Sequence, residues 1–158
     1  MASRTRSKGE KAVSDLKATP GIKGTISFQQ LDVTDDASIK AAVEAVESEY
    51  GHLDVLVNNA GVASQDPSLR TQLETTFAAN VFGAALVYDA FKPLLLKSKS
   101  SVLIHVSSGL GSFDLATRKD RFDYDLPYTV YRMSKSALDM LALENYKEKV
   151  REGWNLKV

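Results

Sequence analysis

The chain contains no cysteine and only two histidines, His52 and His105, far apart in sequence. Disulfides and thiolate chemistry are thereby excluded, and a zinc site has too few of its usual ligands. Neither sign of charge predominates, with 20 Lys and Arg against 20 Asp and Glu. That balance gives no pull toward nucleic acid or an anionic membrane. No continuous apolar run reaches the ~20 residues that cross a bilayer. The opening Met1-Ala2-Ser3-Arg4-Thr5-Arg6 has no apolar stretch of a secretory kind, and Glu10 and Asp15 follow too soon for a transit peptide. A cytoplasmic protein without nucleic-acid or membrane partners is the expectation. What remains is a chain of 158 residues, 44% apolar and 25% charged, enough for one domain spanning 1–158 with its own core.

Along the chain two textures alternate. Residues 7–18 set Ala12, Val13 and Leu16 among charged neighbours before Pro20-Gly21, which reads as an amphipathic helix with a stop. Residues 25–33 are β-prone and partly alternating, a strand. Ile39, Val43, Val46 and Tyr50 recur at helical spacing, with Asp35 or Asp36 as cap and Gly51 as stop. Residues 53–57 and 102–106 are short apolar runs of the kind found in parallel strands covered on both faces. Between them a long helix fits 68–91, with Pro93 just past its end. Residues 112–127 are polar and predict an exposed loop. A helix follows over about 130–150, and Trp154 to Val158 look like a strand just begun. Alternating strands and helices predict the α/β class, with right-handed βαβ units in a Rossmann-like doubly wound parallel sheet.

In such sheets ligands bind beyond the carboxyl ends of the strands. Three of those ends carry polar residues: Asp32, Asn58-Asn59-Ala60-Gly61 and Ser107-Ser108-Gly109. Tyr131 and Lys135 then follow four apart on a helix and share one face. A free phenol has a pKa near ~10 and exchanges protons poorly at neutral pH. A cation beside it stabilises the phenolate, and the phenol can then act on a carbonyl or alcohol oxygen. Ser108 is suited to hold that same oxygen by a hydrogen bond. His105, inside an apolar run, reads as a satisfied core histidine, and Arg118, Lys119, Asp120 and Arg121 as a solvated loop.

Taken in order, Asn59-Ala60-Gly61 after a strand, Asn80 in the next helix, Ser107-Ser108 after the next strand, then Tyr131 and Lys135 resemble the short-chain dehydrogenase/reductase family, its carbonyl-reductase-like members in particular. The resemblance runs from Ser3 to Val158. It implies hydride transfer between a nicotinamide cofactor and a small-molecule carbonyl or alcohol substrate. Tyr131 would be the catalytic acid/base. Lys135 would tune it and hold the nicotinamide ribose. Ser108, chosen over Ser107 because the family uses the second serine, would orient the carbonyl. Asn80 would anchor a water that passes protons to Lys135. Asp32 and Asn59 would line the adenosine side. Ser3-Arg4 resembles the segment after the family's second strand, where a basic residue favours NADP over NAD. The helices at 68–91 and 130–150 match the family's usual dimer surface, so homo- or hetero-oligomers are expected there.

The departures are as informative as the matches. No glycine-rich turn opens a helix to cradle a pyrophosphate. The resemblance therefore implies an incomplete sheet lacking the first βαβ unit and the last strands, with residues 25–33 left without a strand partner unless the sheet rearranges. It also leaves a competing expectation: a catalytically inactive fragment, or an interaction partner of a full-length relative. The spacing from Ser108 to Tyr131 exceeds the family's common one, and this places 112–127 as an insertion beside the substrate pocket.

Overall fold

In the computed structural model, which describes residues 1–158, two-residue strand β1 (Ala2–Ser3) leads into α1 (Arg6–Lys17), and β2 (Gln29–Gln30) into α2 (Asp36–Tyr50). Strand β3 (Val55–Asn58) is followed by one helical rod made of α3 (Leu69–Phe77), a π-helical turn over Ala78–Gly83, and α4 (Ala84–Leu96). Strand β4 (Ser101–His105), a 3₁₀ turn at Gly109–Gly111, the short α5 (Phe113–Ala116), α6 (Thr129–Glu152) and β5 (Leu156–Lys157) complete the chain.

All strand pairs are parallel, as the alternating pattern requires, but the sheet is in two pieces. β1 pairs with β2, and β3–β4–β5 form a second sheet in that order. The segment 25–33 does have a partner, contrary to expectation. Ala2 and Ser3 lie beside Gln29 and Gln30, so only two of its residues are held as strand. β3 pairs on one side only.

The caps follow the sequence. Asp35 accepts a hydrogen bond from the Ala37 N–H at 3.1 Å, and Gly51, at φ 75°, ends α2 in the left-handed conformation that favours glycine. The rod at 69–96 runs five residues past the predicted end and carries Pro93 inside it. An interior proline costs about 3 kcal/mol. The next two residues, Leu94 and Leu95, are almost completely buried, and each such side chain returns about 1.5–3 kcal/mol. That burial holds the last turn.

The rod is the spine of the core. One side of it, through Val87, Phe91 and Leu94, meets Ile39 and Ala42 of α2. Another, through Tyr88 and Leu95, meets Leu103 and Leu156 of the sheet. The rod is also the one helix long and apolar enough to cross a membrane by length and composition, yet half of its apolar window is buried inside the fold. The opposite sheet face differs from expectation. Val55, Val57, Ile104 and Val106 share that face by strand alternation, and all are exposed, because α1 packs on β1 and β2 instead.

Candidate active site

The carboxyl ends of β3 and β4 and the first turns of α6 meet at one place. Gly111 sets the approach of α6. A Cβ there would lie 2.8 Å from the Lys135 carbonyl carbon and 2.9 Å from the Ser136 nitrogen, so a side chain would push the helix off. Ser136 fastens the contact by donating to the Gly111 carbonyl at 2.7 Å. Docked this way, α6 carries Lys135 inward to 4% exposure. Its Nζ donates to the Val106 carbonyl at 2.8 Å and stands 5.6 Å from the centre of the Tyr131 ring. Burial holds the Lys135 ammonium below its ordinary pKa, and the Asp139 carboxylate partly offsets this. Tyr131 is half-buried and packs edge-on against Tyr128, with centroids 6.4 Å apart.

Asn80 sits in the π-helical turn, a wider coil that often marks a functional position. Its Oδ1 accepts from the Val62 N–H at 2.7 Å, while Nδ2 donates to the Val62 carbonyl and to Ser134 Oγ, both at 2.9 Å. Ser134 Oγ donates in turn to the Tyr131 carbonyl at 2.8 Å. Asn80 thus links the loop after β3 to the helix that bears Tyr131. Ser108 Oγ accepts from the Leu110 N–H at 3.2 Å and leaves its own O–H unused, whereas Ser107 reaches only the Lys135 carbonyl at 3.5 Å.

Asp32 lies at the end of the other sheet. It accepts from the Thr34 hydroxyl at 2.7 Å and the Thr34 N–H at 3.0 Å, and these bonds, the hydroxyl's first, hold its carboxyl below the usual range. Arg4, directly after β1, is 3.9 Å from Asp32 and largely exposed. Asn59 is exposed at the end of β3. The chain thus brings Asn80, Ser134, Tyr131 and Lys135 together by direct contacts, while Arg4 and Asp32 form a separate pair.

The expected loop at 112–127 is more ordered than its polarity implied. It contains α5, and Arg121 grips the buried Asp123 through two bonds of 2.9 and 2.6 Å. Arg132 of α6 donates to the Asp123 carbonyl. Ser134 and the Val62 and Val106 backbones were not singled out in the sequence. Only Ser134 left a signal there, as a small polar residue between Tyr131 and Lys135.

The sequence model of short-chain dehydrogenases matches residues 1–153. This chain belongs to the short-chain dehydrogenase/reductase family. It is 36% identical over 151 residues to a short-chain dehydrogenase, anuI, of Penicillium roqueforti, covering 90% of this chain and 58% of that protein. With the short-chain dehydrogenase/reductase tropE of Talaromyces stipitatus it shares 37% over 150 residues, covering 86% and 56%. The chain therefore spans somewhat over half the length of these relatives. An NADPH-bound carbonyl reductase from chicken fatty liver superposes with a TM-score of 0.74 at 27% identity, over 93% of this chain and 59% of that one. An NAD complex of a family member from Burkholderia phymatum, at 22% identity, shares the fold with a TM-score of 0.79 over 99% and 52%.

Family members use nicotinamide cofactors, and the residues at the two strand ends fit the nicotinamide-ribose half of one. A Cβ on Gly61 would come 3.2 Å from Asn80 Oδ1 and 3.7 Å from Lys135 Nζ, so glycine keeps the approach to the ammonium open. For the pyrophosphate no glycine-rich helix start exists among these 158 residues.

Proposed function

We propose that this chain carries the proton-transfer half of an NADP-dependent oxidoreductase that interconverts small carbonyl compounds and alcohols through Ser108, Tyr131 and Lys135. The buried Lys135 ammonium beside the Tyr131 ring carries the reading. In it, Tyr131 exchanges a proton with the substrate oxygen, and the adjacent cation favours the phenolate this leaves. Ser108 donates its unused O–H to the same oxygen. Asn80 keeps Tyr131 in place through Ser134 and has one remaining lone pair for a water in a relay to Lys135. The dinucleotide supplies the hydride when bound. Lys135 and Tyr131 hold its nicotinamide side, and Asp32, Asn59 and Arg4 its adenosine side. The exposed guanidinium of Arg4 supports NADP over NAD, since it can meet a 2′-phosphate as a charge partner.

The test is an enzyme completed at both ends with the corresponding segments of the Penicillium roqueforti relative. It should oxidise NADPH in the presence of a ketone or aldehyde, and Tyr131→Phe should lower kcat by the ~10²–10⁴-fold typical of general acid–base catalysis. If Tyr131→Phe kept more than half of the activity, the assignment would fail.

A second reading, a non-catalytic partner of a full-length relative, draws on the bare sheet face at Val55, Val57, Ile104 and Val106. It is favoured if the chain co-purifies with such a relative and changes its activity.

A further inference from the structure

We propose that His105 is a positioning residue for the Tyr131–Lys135 pair: a neutral imidazole, protonated on Nε2 alone, that holds α6 at a fixed height on the sheet. The proposal rests on the reading of that pair as the proton-transfer site. The His105 ring makes no hydrogen bond to either member. It ends β4 opposite Asn58 and lies on the helix-covered face. Its Nδ1 is 3.4 Å from Asn58 Nδ2, and its Nε2 is 3.0 Å from the side-chain amide of Asn145 on α6.

Hydrogen-bond bookkeeping decides the tautomer. Asn58 Nδ2 donates to the Ala84 carbonyl at 3.0 Å, and a carbonyl can only accept. That end of the Asn58 amide is therefore its nitrogen, and its second hydrogen points toward Nδ1, which must be bare. A neutral imidazole has one N–H, so it sits on Nε2. Asn145 makes no other side-chain hydrogen bond and can meet it with Oδ1 after a half-turn of its carboxamide. A second proton on the ring would set an N–H against the Asn58 amine, and burial already disfavours the charged ring.

The imidazole, borne by β4, thus meets β3 through Asn58 and α6 through Asn145, and Asn58 extends the link to Ala84 of α4. The residue after His105 is Val106, whose carbonyl takes the Lys135 ammonium. Helix α6 is therefore tied to the end of β4 at two points, Lys135 and Asn145. They stand ten residues apart, about 15 Å along a helix axis at the usual rise. Lys135 and Ser136 hold the near end of α6, and Asn145, helped by Glu148 taking Tyr88 and Lys92 of α4, holds the far end. Together they fix the tilt of the helix and with it the place of Lys135 Nζ beside Tyr131.

The 158-residue chain suffices for the test, because no turnover is read. Long-range proton–nitrogen NMR correlations at neutral pH should show the Nε2–H tautomer, and the Nδ1–H tautomer would overturn the proposal. Accessibility of the Lys135 amine is then read by reductive methylation and peptide mapping, with the exposed Lys40 of α2 as internal reference. His105→Phe keeps the ring and removes both nitrogens; local opening should raise Lys135 labelling ~10-fold or more. His105→Gln keeps one acceptor and one donor and should restore protection. Ile39→Ala, in the core between α2 and α4 and apart from α6, supplies a variant of lowered stability. If His105→Phe left Lys135 protected, if His105→Gln failed to restore protection, or if Ile39→Ala at an equal loss of thermal midpoint exposed Lys135 as much, His105 would be an ordinary core residue. A failure of the completed enzyme to reduce carbonyls would instead strike the functional reading and leave these results standing.

Discussion

Asn80 shows how much one side chain can hold. It satisfies both backbone groups of Val62 and the Ser134 hydroxyl while almost completely buried. Asn80→Ala would leave those groups without partners, at about 1–3 kcal/mol for the loss of a buried partner. A drop of the thermal midpoint by several degrees should follow, whereas Asn59→Ala, at an exposed position, should leave it unchanged. His105 gives the pH dependence. Burial holds its folded pKa below the ordinary 6.5. As pH falls through 6.5 the unfolded chain binds a proton that the folded chain refuses, so stability present above that pH is lost toward the lower folded value. Asp32 and Asp123 add nothing in this window, because their pKa values lie below the ordinary 3.8. Thermal melts between pH 7.5 and 5.5 should show the loss, and His105→Gln should flatten it. An equally steep dependence in His105→Gln would exclude the imidazole as its source. The residues proposed for the site could be picked out one by one in the sequence because their spacing along one helix and at strand ends is local. The bonds from Asn80 to Ser134 and from His105 to Asn145 were not, since they join positions 54 and 40 residues apart.

At the scale of elements, boundaries backed by a local signal agreed with the structure: Asp35 and Gly51 around α2. Those that depend on packing did not. Pro93 reads as a stop, yet the burial of Leu94 and Leu95 carries the helix through it. The segment 25–33 has strand propensity along its length but finds partners for only Gln29 and Gln30. Polarity made 112–127 look like a wet loop, and only the fold reveals that Asp123 is buried under Arg121 and joined to Arg132. A close approach of two elements lies at Gly111, where α6 backbone atoms fill the space of a Cβ. Gly111→Ala must shift the helix by some tenths of an ångström and should cost about 1–3 kcal/mol, as overpacking usually does. It should also loosen the Lys135 ammonium from Val106. A melt unchanged from the parent chain would mean that α6 can ride outward freely and that Gly111 does not set its position.

For the whole molecule, the open side of β3 is the dominant physical fact. Val102 donates to the Asp54 carbonyl and Val106 to the Asn58 carbonyl. Residues 54, 56 and 58 therefore turn their peptide groups toward β4, and Val55 and Val57 turn theirs away. Only the Val57 carbonyl finds a partner there, the Asn59 N–H at 3.1 Å. The same two residues are 48% and 49% exposed and continue into Ile104 and Val106, so an unpaired edge adjoins an uncovered apolar face. Unpaired, flat, apolar edges recruit other strands, and charge on them prevents it. The chain should therefore associate with itself as its concentration rises, through β3 and not through the charged surface of α1. Val57→Lys places a charge on the bare face, one residue from the end of the edge, and leaves the helix-covered core untouched. Sedimentation velocity over a range of concentrations should show the parent chain moving to larger species and Val57→Lys remaining a monomer. If both behaved alike, the contact would lie elsewhere, and the exposed side chains of α4 and α6, Leu86, Met133 and Met140 among them, would be the next surface to charge.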